Sequence, residues 1–248
     1  MMAEGTPYLE PEEALNVRTF SSDVERDQYL RFGLSPREQA IVRSNFPRWG
    51  SRVLDVGCGY GRTSRPLAAM GFQVTAIDIV PRMVTEGSAA TPSVHFCLMS
   101  ATDLGFADAS FDCVFFSFNG IDCIVPQGKR AQALREFRRV LRPGGVLVYS
   151  AHNWVGLILN SLRSRPRRAD LFRNLAHGRL LPGYFTMRQL GGDLVLHYGL
   201  PWTEVRRLRA AGFSAVSVRP GKVGPRLERL GPLAHRVFDL WPFYVALK

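Results

Sequence analysis

Residues 52–61 read Arg-Val-Leu-Asp-Val-Gly-Cys-Gly-Tyr-Gly. A short apolar run that breaks into glycines at every second position predicts a buried strand turning sharply into a helix. Glycine reaches positive φ without strain and carries no Cβ, so the backbone N–H groups of such a turn can approach a bound ligand closely. The helix is expected over about 62–70, with Gly71 ending it. Val74-Thr75-Ala76-Ile77 is a second strand closed by Asp78, which lies 21 residues after Gly57. A carboxylate at that spacing suits the hydroxyls of a ribose.

The following chain keeps the same alternation. Ser35-Pro36-Arg37-Glu38 is a helix start with a capping box, and that helix should stop near Pro47. A short helix is expected over 81–87, strands over 94–98 and 111–118, and a helix over 128–141 ended by Pro143-Gly144-Gly145. Val146 to Ser150 is a fifth strand, 203–211 a helix, 215–218 a sixth strand and 243–247 a seventh. Strands alternating with helices specify a parallel sheet covered on both faces. The stretch 151–200 interrupts the pattern and is too long for an ordinary connection, so it is expected to form an inserted lid. The expected units are an N-terminal helical cap over 1–48, a core over 49–152, the lid over 153–200, and the rest of the core over 201–248.

Two ligand classes use a glycine turn followed by a distal acid: dinucleotides and S-adenosylmethionine (SAM). A dinucleotide fingerprint requires a small residue at position 62. Arg62 stands there, and its side chain is expected to crowd the helix–strand contact and the approach of a pyrophosphate.

Taken together, several segments resemble the class I SAM-dependent methyltransferases. They are Val53-Leu54-Asp55-Val56-Gly57-Cys58-Gly59-Tyr60-Gly61, Ala76-Ile77-Asp78-Ile79-Val80-Pro81-Arg82-Met83, Ala101-Thr102-Asp103-Leu104 and Val140-Leu141-Arg142-Pro143-Gly144-Gly145. Ala211-Gly212-Phe213 and Trp241-Pro242-Phe243 extend the likeness to the C-terminal strands. The resemblance implies a Rossmann-like, doubly wound α/β sheet of seven strands, in the order 3-2-1-4-5-7-6 with the last antiparallel. It implies SAM as cofactor and S-adenosylhomocysteine as product. It would put Gly57, Gly59 and Gly61 along the amino-acid end of SAM, with Asp55 nearby. Asp78 would hold the ribose, Ile79 and Met83 would flank the adenine, and Ala101, Thr102 and Asp103 would form the adenine wall. Asn119 would sit near the donor methyl. No metal is expected.

Ligands of parallel sheets bind beyond the carboxyl ends of the strands. The acceptor is therefore sought among Ser117-Phe118-Asn119-Gly120-Ile121-Asp122, Ala151-His152-Asn153-Trp154, and His197-Tyr198. A hydroxyl acceptor benefits from a base, and histidine is suited to that role near neutral pH. His152 is the first candidate for a catalytic base and His197 the second. The Asn/Asp-Pro-Pro-aromatic motif of exocyclic base-amine methylases is absent after the fourth strand, so that stacking pocket is not expected.

Charge adds one more signal. The chain has 32 basic and 21 acidic residues, a net charge of +11. Residues 155–190 hold seven arginines (163, 165, 167, 168, 173, 179, 188) against the single acid Asp170. These arginines could face solvent, hold an anionic or carrier-bound acceptor, or track RNA or an anionic membrane surface. The expected activity is methylation of a small-molecule acceptor on O or N. An RNA methyltransferase and a non-catalytic SAM-binding scaffold are the alternatives. No apolar run approaches the length of a spanning helix and no signal peptide is evident, so the expected location is cytoplasmic. The four cysteines form no metal-binding pair and read as small apolar residues of a reducing compartment.

Overall fold

In the computed structural model, residues 10–47, 50–161, 165–177, 181–221 and 237–248 are described. The strands in chain order are β1 (Arg52–Val56), β2 (Gln73–Asp78), β3 (His95–Leu98), β4 (Phe111–Phe116), β5 (Leu141–Ser150), β6 (Gly183–Gln189), β7 (Gly192–Tyr198), β8 (Ser214–Arg219) and β9 (Phe243–Leu247). The helices are α1 (Pro11–Phe20), α2 (Asp23–Leu30), α3 (Pro36–Asn45), α4 (Ser64–Ala69), α5 (Pro81–Ala90), α6 (Gln127–Val140), α7 (Trp154–Ser161), α8 (Arg165–Ala176) and α9 (Pro201–Ala210). A 3₁₀ turn spans Gly120–Cys123.

Seven strands form one sheet in the order β3-β2-β1-β4-β5-β9-β8. β9 runs antiparallel to both β5 and β8, and the remaining neighbours pair in parallel. With the two extra strands of the insertion set aside, this is the order expected from the sequence. Alternate residues of the central strands face opposite layers. Leu54, Val56, Val114, Phe116, Leu147 and Tyr149 pack with Ala133, Leu134 and Phe137 of α6 and Leu208 of α9. Val53, Val74, Cys113, Phe115 and Val148 pack with Ile41 and Val42 of α3 and Leu67 of α4. Covering both faces is why these strands are apolar almost throughout.

The local signals at α3 hold in detail. The Ser35 hydroxyl accepts from the Glu38 N–H at 3.2 Å, and a Glu38 carboxylate oxygen accepts from the Ser35 N–H at 2.6 Å. The fifth strand starts earlier than expected, at Leu141, because the chain leaves α6 directly into extended backbone that pairs with Phe111.

The insertion is part helix and part sheet, whereas the sequence suggested only a lid. β6 and β7 form an antiparallel hairpin closed at Gln189 and Gly192. Its signal was the Gly191-Gly192 pair between two apolar runs. Gly192 has φ +143°. A Cβ at Gly191 would come within 2.2 Å of Ser22 Oγ, so the hairpin turn seats against the chain joining α1 to α2. Asn16 of α1 pairs with β7: its Oδ1 accepts from the Val195 N–H at 2.8 Å, and its Nδ2 donates to the Val195 carbonyl at 2.9 Å. Thr19 Oγ1 donates to the Asp193 carbonyl at 2.8 Å. The N-terminal helices and the hairpin thus meet over the carboxyl end of the sheet. Among the described residues no helix is long and apolar enough to cross a membrane.

Candidate functional site

The glycine turn after β1 builds the floor of a cavity. Gly57, Gly59 and Gly61 have φ of +60°, +55° and +82°, the left-handed region that favours glycine. A Cβ at Gly57 would lie 2.6 Å from the Phe116 ring, so another residue there would have to displace that ring. At the end of β2, Asp78 ties the turn down. One carboxylate oxygen accepts from the Gly59 N–H at 2.9 Å and the other from the Val80 N–H at 3.0 Å. Burial raises the carboxyl above its usual range, while the backbone N–H groups of Val80, Gly59 and Ile79 pull it back.

The cavity encloses about 1100 Å³ including its open mouth. Of the residues expected around a cofactor, Gly57, Gly59, Asp78, Ile79, Met83, Ala101 and Thr102 line it. Four others are placed elsewhere. Asp55 is buried beneath the turn, where one oxygen accepts from Thr63 Oγ1 at 2.6 Å and Ser64 Oγ at 2.5 Å. Burial pushes its carboxyl up to about 6. Gly61 packs toward Phe96. Asp103 is exposed in a turn closed by its N–H on the Ser100 carbonyl. Asn119 is buried beside Ser150 and His152 and does not reach the lining.

The cavity also has a wall from the expected N-terminal cap, whose individual residues the sequence did not single out. Glu13, Asn16, Val17 and Phe20 of α1 and Tyr29 of α2 line it, so the N-terminal segment roofs the glycine turn. Nothing local in the sequence marks these residues, because the surface they cover lies far along the chain.

Arg62 departs from expectation as well. It does not crowd the β1–α4 contact, because its guanidinium is drawn to α3. It donates to both Glu38 oxygens, at 3.0 and 2.6 Å, and to the Gly33 carbonyl at 2.9 Å. Ser117 donates to the same carboxylate. Burial alone would raise Glu38, but the Arg62 guanidinium overrides it and holds the carboxyl below the usual range. The guanidinium also lies 4.8 Å from the centre of the Phe118 ring, a cation–π contact.

Phe118 and Asn119 are both left-handed, at φ +56° and +61°. Each costs roughly 1–2 kcal/mol for a residue with a Cβ. The Asn119 N–H is held by Ser150 Oγ at 2.8 Å, which fixes the turn. The conformation leaves the Phe118 ring at the cavity edge, 49% exposed. From there a run of ring contacts continues through Trp241 at 6.2 Å to His152, and on to Tyr198 at 4.6 Å.

His152 follows β5 directly. Its carbonyl accepts from the Gly199 N–H at 3.2 Å. Its Nδ1 lies 2.9 Å from an Asp122 oxygen that also accepts the His152 backbone N–H. Its Nε2 lies 3.4 Å from Asn119 Nδ2. His197 of β7 is buried on the other side of Asp122, its Nδ1 3.8 Å from the second carboxylate oxygen. Burial pushes His197 below its usual value. The structure thus brings the two candidate bases to one carboxylate. Among the described residues no cluster of three or more His, Cys, Asp or Glu side chains could hold a metal ion. All four cysteines are free thiols.

The arginine-rich segment is only partly described. Arg168 and Arg188 are exposed, Arg173 lies 3.9 Å from Asp193, and Arg163 and Arg179 lie outside the described residues.

Residues 53–145 match a family model described as a methyltransferase domain. The demethylmenaquinone methyltransferase of Renibacterium salmoninarum is 42% identical over 99 residues, covering 40% of this chain and 40% of that protein. The ubiquinone biosynthesis O-methyltransferase of Xanthomonas oryzae pv. oryzae is 32% identical over 140 residues, 53% of this chain and 55% of that protein. The chain therefore spans about half the length of these curated relatives. A SAM-dependent methyltransferase structure from Methanosarcina mazei superposes with a TM-score of 0.65 at 21% identity, over 88% of this chain and 99% of that one. At that identity the likeness is one of fold.

Proposed function

We propose, for a chain that has the class I SAM-dependent methyltransferase fold and carries a methyltransferase domain over residues 53–145, that it transfers methyl from SAM to a hydroxyl of a small, largely apolar acceptor. The observation that carries the cofactor half of this reading is the Asp78 carboxylate. It lines the cavity while using one acceptor site on each oxygen for the glycine turn. A carboxylate offers about four acceptor sites in all, so about two remain for ribose hydroxyls. Gly57, Gly59, Ile79, Met83, Ala101 and Thr102 complete the cradle. A Cβ at Gly59 would meet Met83 Sδ at 3.8 Å, an ordinary van der Waals contact, so the turn and α5 meet at the cavity wall. Asp55 supports the turn from below, and Asp103 and Asn119 stand outside the cradle.

SAM supplies an electrophilic methyl on a sulfonium, so the protein's task is to position the acceptor and take its proton. Phe118, Trp241 and Tyr29 offer aromatic faces beside the cavity. His152 stands at the far end of that aromatic run. Nδ1 faces Asp122, which leaves Nε2 as the basic atom. A proton would be taken there from the hydroxyl of an acceptor that reaches past Asn119, since neither His152 nor Asn119 lines the cavity. The ubiquinone biosynthesis relative is named as an O-methyltransferase, which supports a hydroxyl acceptor, while the name of the demethylmenaquinone relative specifies no such atom. The N-terminal cap and the hairpin would close over the acceptor and exclude water.

His152→Ala is the direct test. Turnover of the acceptor should fall by about 10²–10⁴, with SAM affinity near that of the native protein. Native turnover in that variant would leave catalysis to proximity alone. A screen of hydroxylated aromatics for a 14 Da mass gain per methyl added would identify the acceptor. Arg165→Gln, Arg167→Gln and Arg168→Gln combined would weaken an anionic acceptor and leave a neutral one unaffected.

A further inference from the structure

The 3₁₀ turn after β4 holds one carboxylate around which the buried polar groups of four elements gather. Asp122 is fully buried. One of its oxygens accepts the His152 backbone N–H and faces His152 Nδ1 at 2.9 Å. The other lies 3.2 Å from the Arg130 guanidinium of α6 and 3.8 Å from His197 Nδ1 of β7. At 3.8 Å His197 is an electrostatic neighbour and not a hydrogen-bond partner. Arg130 is itself buried, and it lies 3.3 Å from Glu204 of α9. Glu204 accepts from Tyr149 of β5 at 3.3 Å and pairs with Arg207. Tyr184 of β6 packs against His197, and its hydroxyl is engaged with the Ile124 carbonyl at 3.0 Å.

Asp122 and Glu204 balance Arg130 and Arg207, so the cluster is neutral while both histidines are neutral. Ionising a fully buried carboxylate is costly without a partner. Burial works against the charged form of Asp122, but Arg130 and the two histidines outweigh it and hold the carboxyl well below its usual range. Burial keeps His197 from competing for a proton. A proton placed on His152 would meet an adjacent negative charge that is already present.

We infer that Asp122 is a positioning residue for His152. It holds the ring with Nδ1 protonated, aims Nε2 toward Asn119 and the aromatic wall, and stabilises the imidazolium formed when Nε2 takes a proton. The acceptor O–H bond breaks, the proton joins Nε2, the electron pair stays on oxygen, and Asp122 remains a carboxylate throughout. Arg130 secures that ionised state from the opposite side. This inference rests on the proposed role of His152 as base.

Asp122→Asn tests it. The amide oxygen can still accept both the backbone N–H and the Nδ1 proton, so ring orientation is retained while the negative charge is lost, at a cost in stability because the new NH₂ faces Arg130. ¹⁵N and ¹³C NMR of labelled histidines should show native His152 as the Nδ1-protonated tautomer when neutral. The midpoint of its titration should fall in the variant, because the carboxylate 2.9 Å from Nδ1 favours the charged ring. Turnover should drop ten- to thousand-fold, its acidic limb should move to lower pH, and SAM affinity should stay within twofold. A titration midpoint unmoved by the substitution would overturn the inference. So would an Nε2-protonated tautomer in the native protein, a result that needs no folded variant. Native turnover in His152→Ala would sink the base reading separately, because the NMR observables do not depend on catalysis.

Discussion

Asp78→Asn isolates the group that links the glycine turn to the proposed cofactor. In the native protein the two carboxylate oxygens each accept one backbone N–H, from Gly59 at 2.9 Å and Val80 at 3.0 Å. Asparagine keeps the size but can accept at only one of those positions. Its NH₂ then faces an N–H donor. The loss is one charge-assisted hydrogen bond, roughly 1.5–3 kcal/mol, in a site where an orphaned buried N–H costs roughly 1–3 kcal/mol. For a chain of this size each kcal/mol lowers the melting temperature by roughly 2–4 °C. A fall of several degrees is expected by calorimetry. The charge on the remaining acceptor sites is lost as well. SAM affinity by titration calorimetry should therefore drop about ten- to hundred-fold, since 1.4 kcal/mol is about tenfold. Burial raises the native Asp78 carboxyl, and only its ionised form can accept at every site. Native SAM affinity should thus weaken on acidification, and the variant should lack that limb. A lowered melting temperature with unchanged SAM affinity would make Asp78 a turn support only. An unchanged melting temperature would refute the hydrogen-bond argument itself.

Arg62→Met leaves Glu38 buried without its cation, which should cost roughly 3–5 kcal/mol by denaturant unfolding. Natively Glu38 is held below its unfolded value, so its contribution to stability is present above that value and lost as pH falls. In the variant burial is opposed only by the Ser117 hydroxyl and the Ser35 N–H, so this pH-dependent contribution should shrink. Glu38→Gln added to Arg62→Met should recover part of the loss. For Asp55, burial pushes the native carboxyl up to about 6 against roughly 3.9 unfolded, a difference of about two pH units or roughly 3 kcal/mol. Between those values the folded state keeps a proton the unfolded state has released, so this contribution falls as pH rises. Both hydroxyl donors share one oxygen, so Asp55→Asn should fold with the Thr63 and Ser64 bonds intact and show a flatter stability profile between pH 4 and 6. An unchanged slope would remove Asp55 as its source.

Much of the core was readable because its signals are local. The capping box of α3 spans Ser35 to Glu38. The helix ahead of β5 ends where Pro143-Gly144-Gly145 follows, and the glycine turn needs only its own φ values. The nearness of Asp78 to the glycine turn was legible because the strand–turn–helix unit fixes its distance from the glycines. Alternation gave a parallel sheet covered on both faces, and the strand order came from the resemblance alone. The β6–β7 hairpin had a signal in Gly191-Gly192, but the broken rhythm of the segment hid it within a single insertion.

What the chain determined by itself is whatever depends on neighbours a few residues apart: which segments are strands or helices, where they stop, and which glycines must turn. Tertiary structure alone decided the partners. Asn16 meets Val195 across 179 positions, and Arg62 finds Glu38 across 24. His152, from the segment just past β5, and His197 of β7 arrive at Asp122 from separate parts of the chain. Periodicity sets the face on which a side chain lies, but it does not say which distant polar group will share that face. The cost of burying an unpartnered charge makes the pairing obligatory once the layers close, and leaves no mark of it in either segment read alone.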